Sequence, residues 1–243
     1  MRSRPVGELW SDLGTYIPNN VDTILSALGE HLWLALLPVV IGFAIALPLG
    51  YLAHRYRWAY PVLLGSASIF YTIPSLAMFV ALPTLIGTSI ISPLNVVIAL
   101  SLYTAALLVR TVADGLASVP TSTVQAADAM GYTPVRRLFA VDLPVALPEI
   151  FSGLRVATVS NVSLVNVGAL IGVGGLGALM TDGFRRGFAA PIVVSIVLSL
   201  LVALLADLLL VLLQRALTPW DRARRRDSGS RPKASADEQA IAA

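Results

Sequence analysis

Few side chains in this sequence carry the nucleophiles, acids or metal ligands on which catalysis depends. The 243 residues contain no cysteine and two histidines, which excludes disulfides, thiolate metal sites and a cysteine nucleophile. His31 and His54 flank one apolar run, too far apart for a histidine metal centre. No Ser/His/Asp set, no paired catalytic carboxylates and no G-x-x-x-x-G-K-[ST] phosphate loop occurs, so the chain is not read as an enzyme and cannot hydrolyse ATP by itself. Gly172-Val173-Gly174-Gly175-Leu176-Gly177 fits the letter of G-x-G-x-x-G. A dinucleotide site requires a strand before that motif, a helix after it and an acid about 20 residues on. Here a long apolar run precedes it, so the expectation is a backbone break and no cofactor site. Gly174 and Gly175 belong either to a gate or to a flexible turn.

The remaining chemistry is polar groups set into apolar stretches. Thr158, Ser160, Asn161, Ser163 and Asn166 share one stretch, and at 100° per residue they point to most sides of a helix, which is costly against lipid. That helix is expected to be central, with Asn161 and Asn166 facing a pathway or hydrogen-bonding neighbouring helices. Tyr71 and Thr72 precede Pro74, whose ring frees a backbone carbonyl one turn earlier. These three are further pathway candidates. Asp207 is an acid deep in an apolar run, by default a functional group such as a proton-coupling carboxylate. It stands about 9 Å from the end of that run by helical rise, so pairing with an arginine near the boundary is the better assignment. Arg110 and Asp114 form a structural i,i+4 pair. Which of the seven Tyr, seven Phe and four Trp face one another as a cage for a cation is not legible in the sequence.

Composition says what must hold these groups. Hydrophobic residues make up 56% and charged residues 13%, against about 25% charged in soluble domains. The charge-free runs 32–53, 62–82, 94–109 (to about 113) and 156–171 (from about 150), with 191–213 broken only by Asp207, match the roughly 20 residues that cross a bilayer. The expected fold is all-α, a polytopic integral membrane protein with about five spans. Arg55, Arg57, Arg110, Arg136, Arg137, Arg155, Arg215, Arg222, Arg224, Arg225 and Arg226 fall on one face, and Arg2, Arg4, Arg185 and Arg186 on the other. That bias orients the chain N-terminus out, C-terminus in, with Arg185-Arg186 discordant. No cleaved signal peptide is expected at the N-terminus. Residues 1–29 are expected as an amphipathic segment on the outer interface, with a sixth span as the alternative. Residues 30–217 form the membrane domain and 218–243 a disordered cytoplasmic tail.

The longest connection, about 114–149, is expected to be structured. A helix over residues 121–130 stops at Gly131 as a C′ glycine, and Pro134 starts a second short helix to about Val141. Pro144 and Pro148 mark the start of the fourth span. Val124, Ala127 and Met130 form an apolar side suited to docking on a partner.

In this connection Gln125-Ala126-Ala127, three residues, Gly131, nine residues, then Val141-x-Leu143-Pro144 resembles the cytoplasmic EAA loop of permease subunits of bacterial ABC importers. Gln125 stands for the family's Glu and Val141 for its Ile. Glu30-His31-Leu32, Pro48-Leu49-Gly50, Thr72-Ile73-Pro74-Ser75-Leu76-Ala77 and the glycine run 172–177 look like the permeases for glycine betaine, carnitine and choline. The resemblance covers about residues 28–217.

It implies that Gln125, Ala126, Ala127, Gly131, Leu143 and Pro144 belong to a bracket that inserts into an ATP-binding subunit and transmits its closure. It further implies two such subunits, a second permease copy or paralogue, and an extracytoplasmic substrate-binding protein, in a bacterial inner membrane. ATP and Mg would be bound by the partner, with no cofactor in this chain and no nucleic-acid role. The alternatives are a permease for methionine or another amino acid, and an ion-coupled secondary transporter using Asp207. No internal repeat supports the last.

Overall fold

The computed structural model describes residues 6–220, all helices and connections. Helix α1 (Val6–Asn19) is followed after one residue by α2 (Val21–Arg55). The first apolar run, 32–53, is therefore only part of a helix that starts eleven residues earlier. Its 35 residues extend about 52 Å, against a hydrocarbon core of about 30 Å, so α2 projects beyond the membrane. Residues 21–29, expected to lie with the interfacial segment, are thus a part of α2: Ile24 and Ala27 pack against Leu176, Leu179 and Val194, with Leu13 and Tyr16 of α1 alongside. Tyr16 also meets Phe188 edge to face, centroids 5.7 Å apart. Burial, reinforced by the Asp182 carboxylate, pushes its hydroxyl above the ordinary range.

The second run divides into α3 (Ala59–Thr72) and α4 (Ser75–Ile86), which meet at 101° across Ile73-Pro74. Proline removes the N–H that would continue the helix, and the residue before it is pushed to extended backbone. Ile73 sits there, at φ −69°, ψ 126°. Then come α5 (Pro93–Ala117), α6 (Thr121–Ala129) and α7 (Pro134–Arg137). The last passes through a π-turn at Leu138–Asp142 into α8 (Leu143–Gly168), a 3-10 turn at Ala169–Ile171, α9 (Leu176–Arg186) and α10 (Ala189–Leu217).

Among the described residues four helical stretches, α2, α5, Pro134–Ile171 and α10, are long and apolar enough to cross a membrane alone, and the bent pair supplies a fifth if it counts as one span. Packing decides this. A Cβ at Gly42 would strike Thr104 and one at Gly50 would strike Val112. Positions rising along α2 therefore meet positions rising along α5, and the two helices run parallel. Chain leaving α2 on one side must return before α5 begins, so α3 and α4 together cross as a broken span. By the same test α8 is antiparallel to α5, since Gly153 abuts Thr111 and Gly168 abuts Val96. Five crossings follow, with the α5–α8 connection and the end of α10 on one side.

Small residues permit these close approaches in place of a driving force that lipid cannot supply. The most enclosed helix is α5, with 67% of its apolar window buried against 39% for Pro134–Ile171 and 6% for α10. Helix α5 lies between α2, the bent pair and α8, and α8, the fourth span, packs against α2, α4, α5, α9 and α10. Leu34, Phe79, Val96, Leu100, Val162 and Val165 form the core on the α9 side, and Val112, Leu116 and Ile150 near the bracket. Helix α10 offers Leu200, Leu204, Leu205 and Leu209 outward, the surface expected against lipid. The expected tail lies outside the described residues beyond 220.

Candidate functional site

The bracket between α5 and α8 is built by local sequence. Helix α6 ends in a Schellman motif: Tyr132 N–H donates to the Ala127 carbonyl at 3.2 Å and Gly131 N–H to that of Asp128 at 3.0 Å. Gly131 adopts φ +80° with no atom within 4 Å of where a Cβ would stand, so its conformation, not crowding, requires glycine. Thr133 caps α7 by accepting from Arg136 N–H at 3.4 Å. The second bracket helix does not stop near Val141. Pro144 cannot donate to the turn before it, and Leu143 N–H reaches back five residues to Leu138, so a π-turn carries the helix into the membrane unbroken.

Electrostatics clamps the two halves. Arg137 Nη1 reaches both Asp128 oxygens at 2.8 and 2.9 Å, and its Nε donates to Asp142 Oδ2 at 3.2 Å. Arg136 lies over the Tyr132 ring, 4.7 Å from the centroid. Gln125, Ala126 and Gly131 are exposed, Leu143 and Pro144 half-buried, and Ala127 buried. Ala127 therefore packs the bracket onto its own chain, and the apolar groups left outward are Met130, Val135 and Phe139. Asp128, Arg137 and Asp142 were not legible as a unit, because Arg137 read only as an orienting charge.

The pathway candidates separate into two groups. Around the break in α3–α4, Tyr71 packs edge to face on Tyr103 at 6.1 Å, and Tyr103 donates its hydroxyl to the Ile73 carbonyl at 2.5 Å. The carbonyl one turn before Pro74, that of Phe70, accepts from Ile73 N–H at 3.3 Å, and the neighbouring α5 satisfies the Ile73 carbonyl at the break itself. Tyr71, Thr72 and Pro74 are exposed. Asn161 is 2% exposed; it donates to Thr104 Oγ1 at 3.0 Å and the Ala35 carbonyl at 3.4 Å, tying α8 to α5 and α2, while also lining a narrow cleft with Tyr71 and Ser160. Asn166 lies elsewhere, paired with Ser199 of α10 at 3.2 Å.

The second group is the glycine run on the far side from the bracket. Gly175 N–H, at the start of α9, donates to Glu30 Oε2 at 2.9 Å. A Cβ at Gly174 would overlap the same carboxylate, and one at Gly175 would press on His31. The motif that resembles a phosphate cradle does hold an anion, Glu30 of the same chain, at a helix N-terminus. Arg185 and Arg186, discordant as orienting charges, occupy the last turn of α9, where cations are favoured, and Arg186 pairs with Asp182 at 2.9 Å.

Asp207 is answered by Arg155, Nε to Oδ1 at 2.6 Å and Nη2 to Oδ2 at 2.9 Å. This fork joins α8 to α10 and bears out the arginine assignment. Among the described residues no three His, Asp or Glu side chains gather as metal ligands.

Comparison with known proteins agrees with this architecture. Residues 38–219 match the family described as binding-protein-dependent transport system inner membrane component. The chain is 39% identical over 171 residues to the osmoprotectant import permease protein OsmW of Salmonella typhimurium, covering 69% of this chain and 79% of that one. It is 31% identical over 180 residues to the glycine betaine/carnitine/choline transport system permease protein OpuCD of Bacillus subtilis, covering 72% and 76%. Among solved structures, an inward-facing MetNI methionine ABC transporter superposes with a TM-score of 0.71 at 25% identity, covering 80% of this chain and 96% of that one. The chain thus belongs to the family of inner-membrane components of binding-protein-dependent transport systems.

Proposed function

We propose that this chain is the translocating subunit of an ATP-driven importer for small quaternary-ammonium osmoprotectants such as glycine betaine, choline or carnitine. Identity of 39% to a permease named for osmoprotectant import carries the substrate reading. The methionine transporter shares the fold at lower identity, and so supports the class more than the cargo. In this reading the bracket faces the cytoplasm, the N-terminus lies outside and Met130, Val135 and Phe139 meet an ATP-binding subunit. Two such subunits, which bind and hydrolyse ATP with Mg, serve two permease chains, as identical copies or paralogues. An extracytoplasmic binding protein delivers substrate to the glycine side. Closure of the ATP-binding subunits draws the brackets together, and the rigid helix from Pro134 to Ile171 transmits that movement to the centre of the membrane.

The test is uptake of labelled glycine betaine at high osmolarity in cells lacking their own systems, with this chain and its partners expressed together or singly. Uptake should require every partner and be competed by choline or carnitine, not by methionine. Competition by methionine alone would replace the substrate; uptake by this chain without partners would overturn the class.

A further inference from the structure

We infer that the groove between α3 and α5 is a transit subsite for a zwitterionic quaternary ammonium, its cationic head on Tyr71 and its carboxylate toward Arg110. The inference rests on the osmoprotectant reading and gives it a place in the membrane. The groove has a volume of about 450 Å³ and is lined by Ser68, Tyr71, Thr72, Leu107, Arg110 and Thr111, among others. Leu64, Ala67 and Ala106 complete an otherwise apolar wall, and Thr72 and Thr111 donate to the Ile69 and Leu107 carbonyls of their own helices; Arg110 is the group that is costly against lipid and suited to a wet or protein-walled path.

Its two ends differ in sign. At one, Tyr71 is held from behind by Tyr103, whose hydroxyl is fixed to the break at Ile73. An aromatic face so propped attracts a quaternary ammonium, which has no N–H to satisfy, through its quadrupole. At the other end, Arg110 lies seven residues beyond Tyr103, the residue that meets Tyr71, about 10 Å further along α5. Its partner Asp114 approaches Nε at 3.5 Å and is shared with the Tyr60 hydroxyl at 3.1 Å. This is a looser arrangement than the fork that closes Arg155 on Asp207, so Arg110 retains attraction for a second carboxylate. A small molecule with a cation at one end and an anion at the other is attracted at each end of the groove as it passes along it. Choline, with a hydroxyl in place of the carboxylate, matches only the first.

The experiment uses the complete importer in proteoliposomes, with initial uptake of labelled glycine betaine and labelled choline measured beside binding-protein-stimulated ATP hydrolysis. Tyr71→Leu should slow uptake of both about 5- to 30-fold, the range for losing a cation–π contact, with ATP hydrolysis retained. Tyr71→Phe, which keeps the π face, should stay within about twofold. Arg110→Gln should slow glycine betaine about tenfold or more and leave choline within about twofold, because only one of them carries the anion. Equal loss of both substrates in Arg110→Gln, or equal rates for Tyr71→Leu and Tyr71→Phe, would overturn the subsite. Tyr71 is 52% exposed, so assembly should tolerate its replacement. If Tyr71→Leu does not assemble, the choline-to-betaine ratio in Arg110→Gln decides; for a complex carrying one of the two substrates, the Tyr71 series decides. A wild-type complex that moves neither substrate removes the osmoprotectant reading itself, whereas uptake of both with unresponsive variants removes the subsite alone.

Discussion

Glu30 fills the space before Gly174 so fully that a methyl group there would overlap its carboxylate, while the neighbouring Gly175 is held at φ +78° with His31 beneath it. The two glycines are therefore required for different reasons, and mutation separates them. Gly174→Ala should destabilise the chain by about 1–3 kcal/mol through overpacking. Adding Glu30→Ala should recover much of that loss, because the obstacle is the end of a side chain. Gly175→Ala should show no such recovery, since its strain lies in the backbone. Thermal unfolding of the three single and two double variants in detergent checks this; additive losses for Gly174→Ala and Glu30→Ala would mean that the two do not meet. Arg155 and Asp207 belong to the same scale: the fork that joins them accounts for a carboxylate within an apolar helix without giving it a proton to carry.

At the level of elements, the bracket is two helical pieces kept in one shape by a left-handed glycine and by Arg137. Loss of Arg137 leaves Asp142, 7% exposed, without its cation, and frees Asp128 and α6 from the turn that leads into α8. Arg137→Gln should lower substrate moved per ATP hydrolysed by about fivefold or more, as expected for losing charge-assisted bonds worth about 1–3 kcal/mol, while hydrolysis continues. Arg137→Lys should fall between, because an ammonium cannot fork to two carboxylates. Transport and hydrolysis measured on one reconstituted sample give that ratio, and an unchanged ratio for Arg137→Gln would remove the clamp from the coupling mechanism. Much of this element was legible: Gly131 as a C′ residue and Pro134 in a first turn follow from what each residue permits. The continuous passage into α8 was not, because prolines read as boundaries, and a π-turn that accommodates Pro144 depends on hydrogen bonds chosen by packing.

For the whole molecule, five apolar runs were legible from hydropathy, but the route through them was not. Only the parallel contact of Gly42 and Gly50 with α5 shows that α3 and α4 cross together despite their 101° bend. The enclosure of α5 was not legible, because its apolar sequence resembles that of α10 and burial depends on neighbours. The fork of Arg155 on Asp207 was legible because a lone acid in an apolar helix needs a cation near the boundary, while Tyr71 against Tyr103, 32 residues apart, required the fold. Five crossings place the connection after α4 opposite the bracket, and the cysteine-free chain allows a direct check. A cysteine replacing Ile90 should react with an impermeant maleimide in intact cells, and one replacing Arg57, in the connection between α2 and α3, only after lysis; labelling of both from one side would make the bent pair re-entrant. Movement of substrate driven by ATP hydrolysis in a partner is measured in proteoliposomes holding the complete complex, with ATP trapped on the bracket side and ionophores abolishing ion gradients. Uptake of glycine betaine should be undiminished under those conditions and absent when ATP is replaced by a non-hydrolysable analogue. Uptake that follows an imposed ion gradient in the absence of ATP would contradict an ATP-driven mechanism.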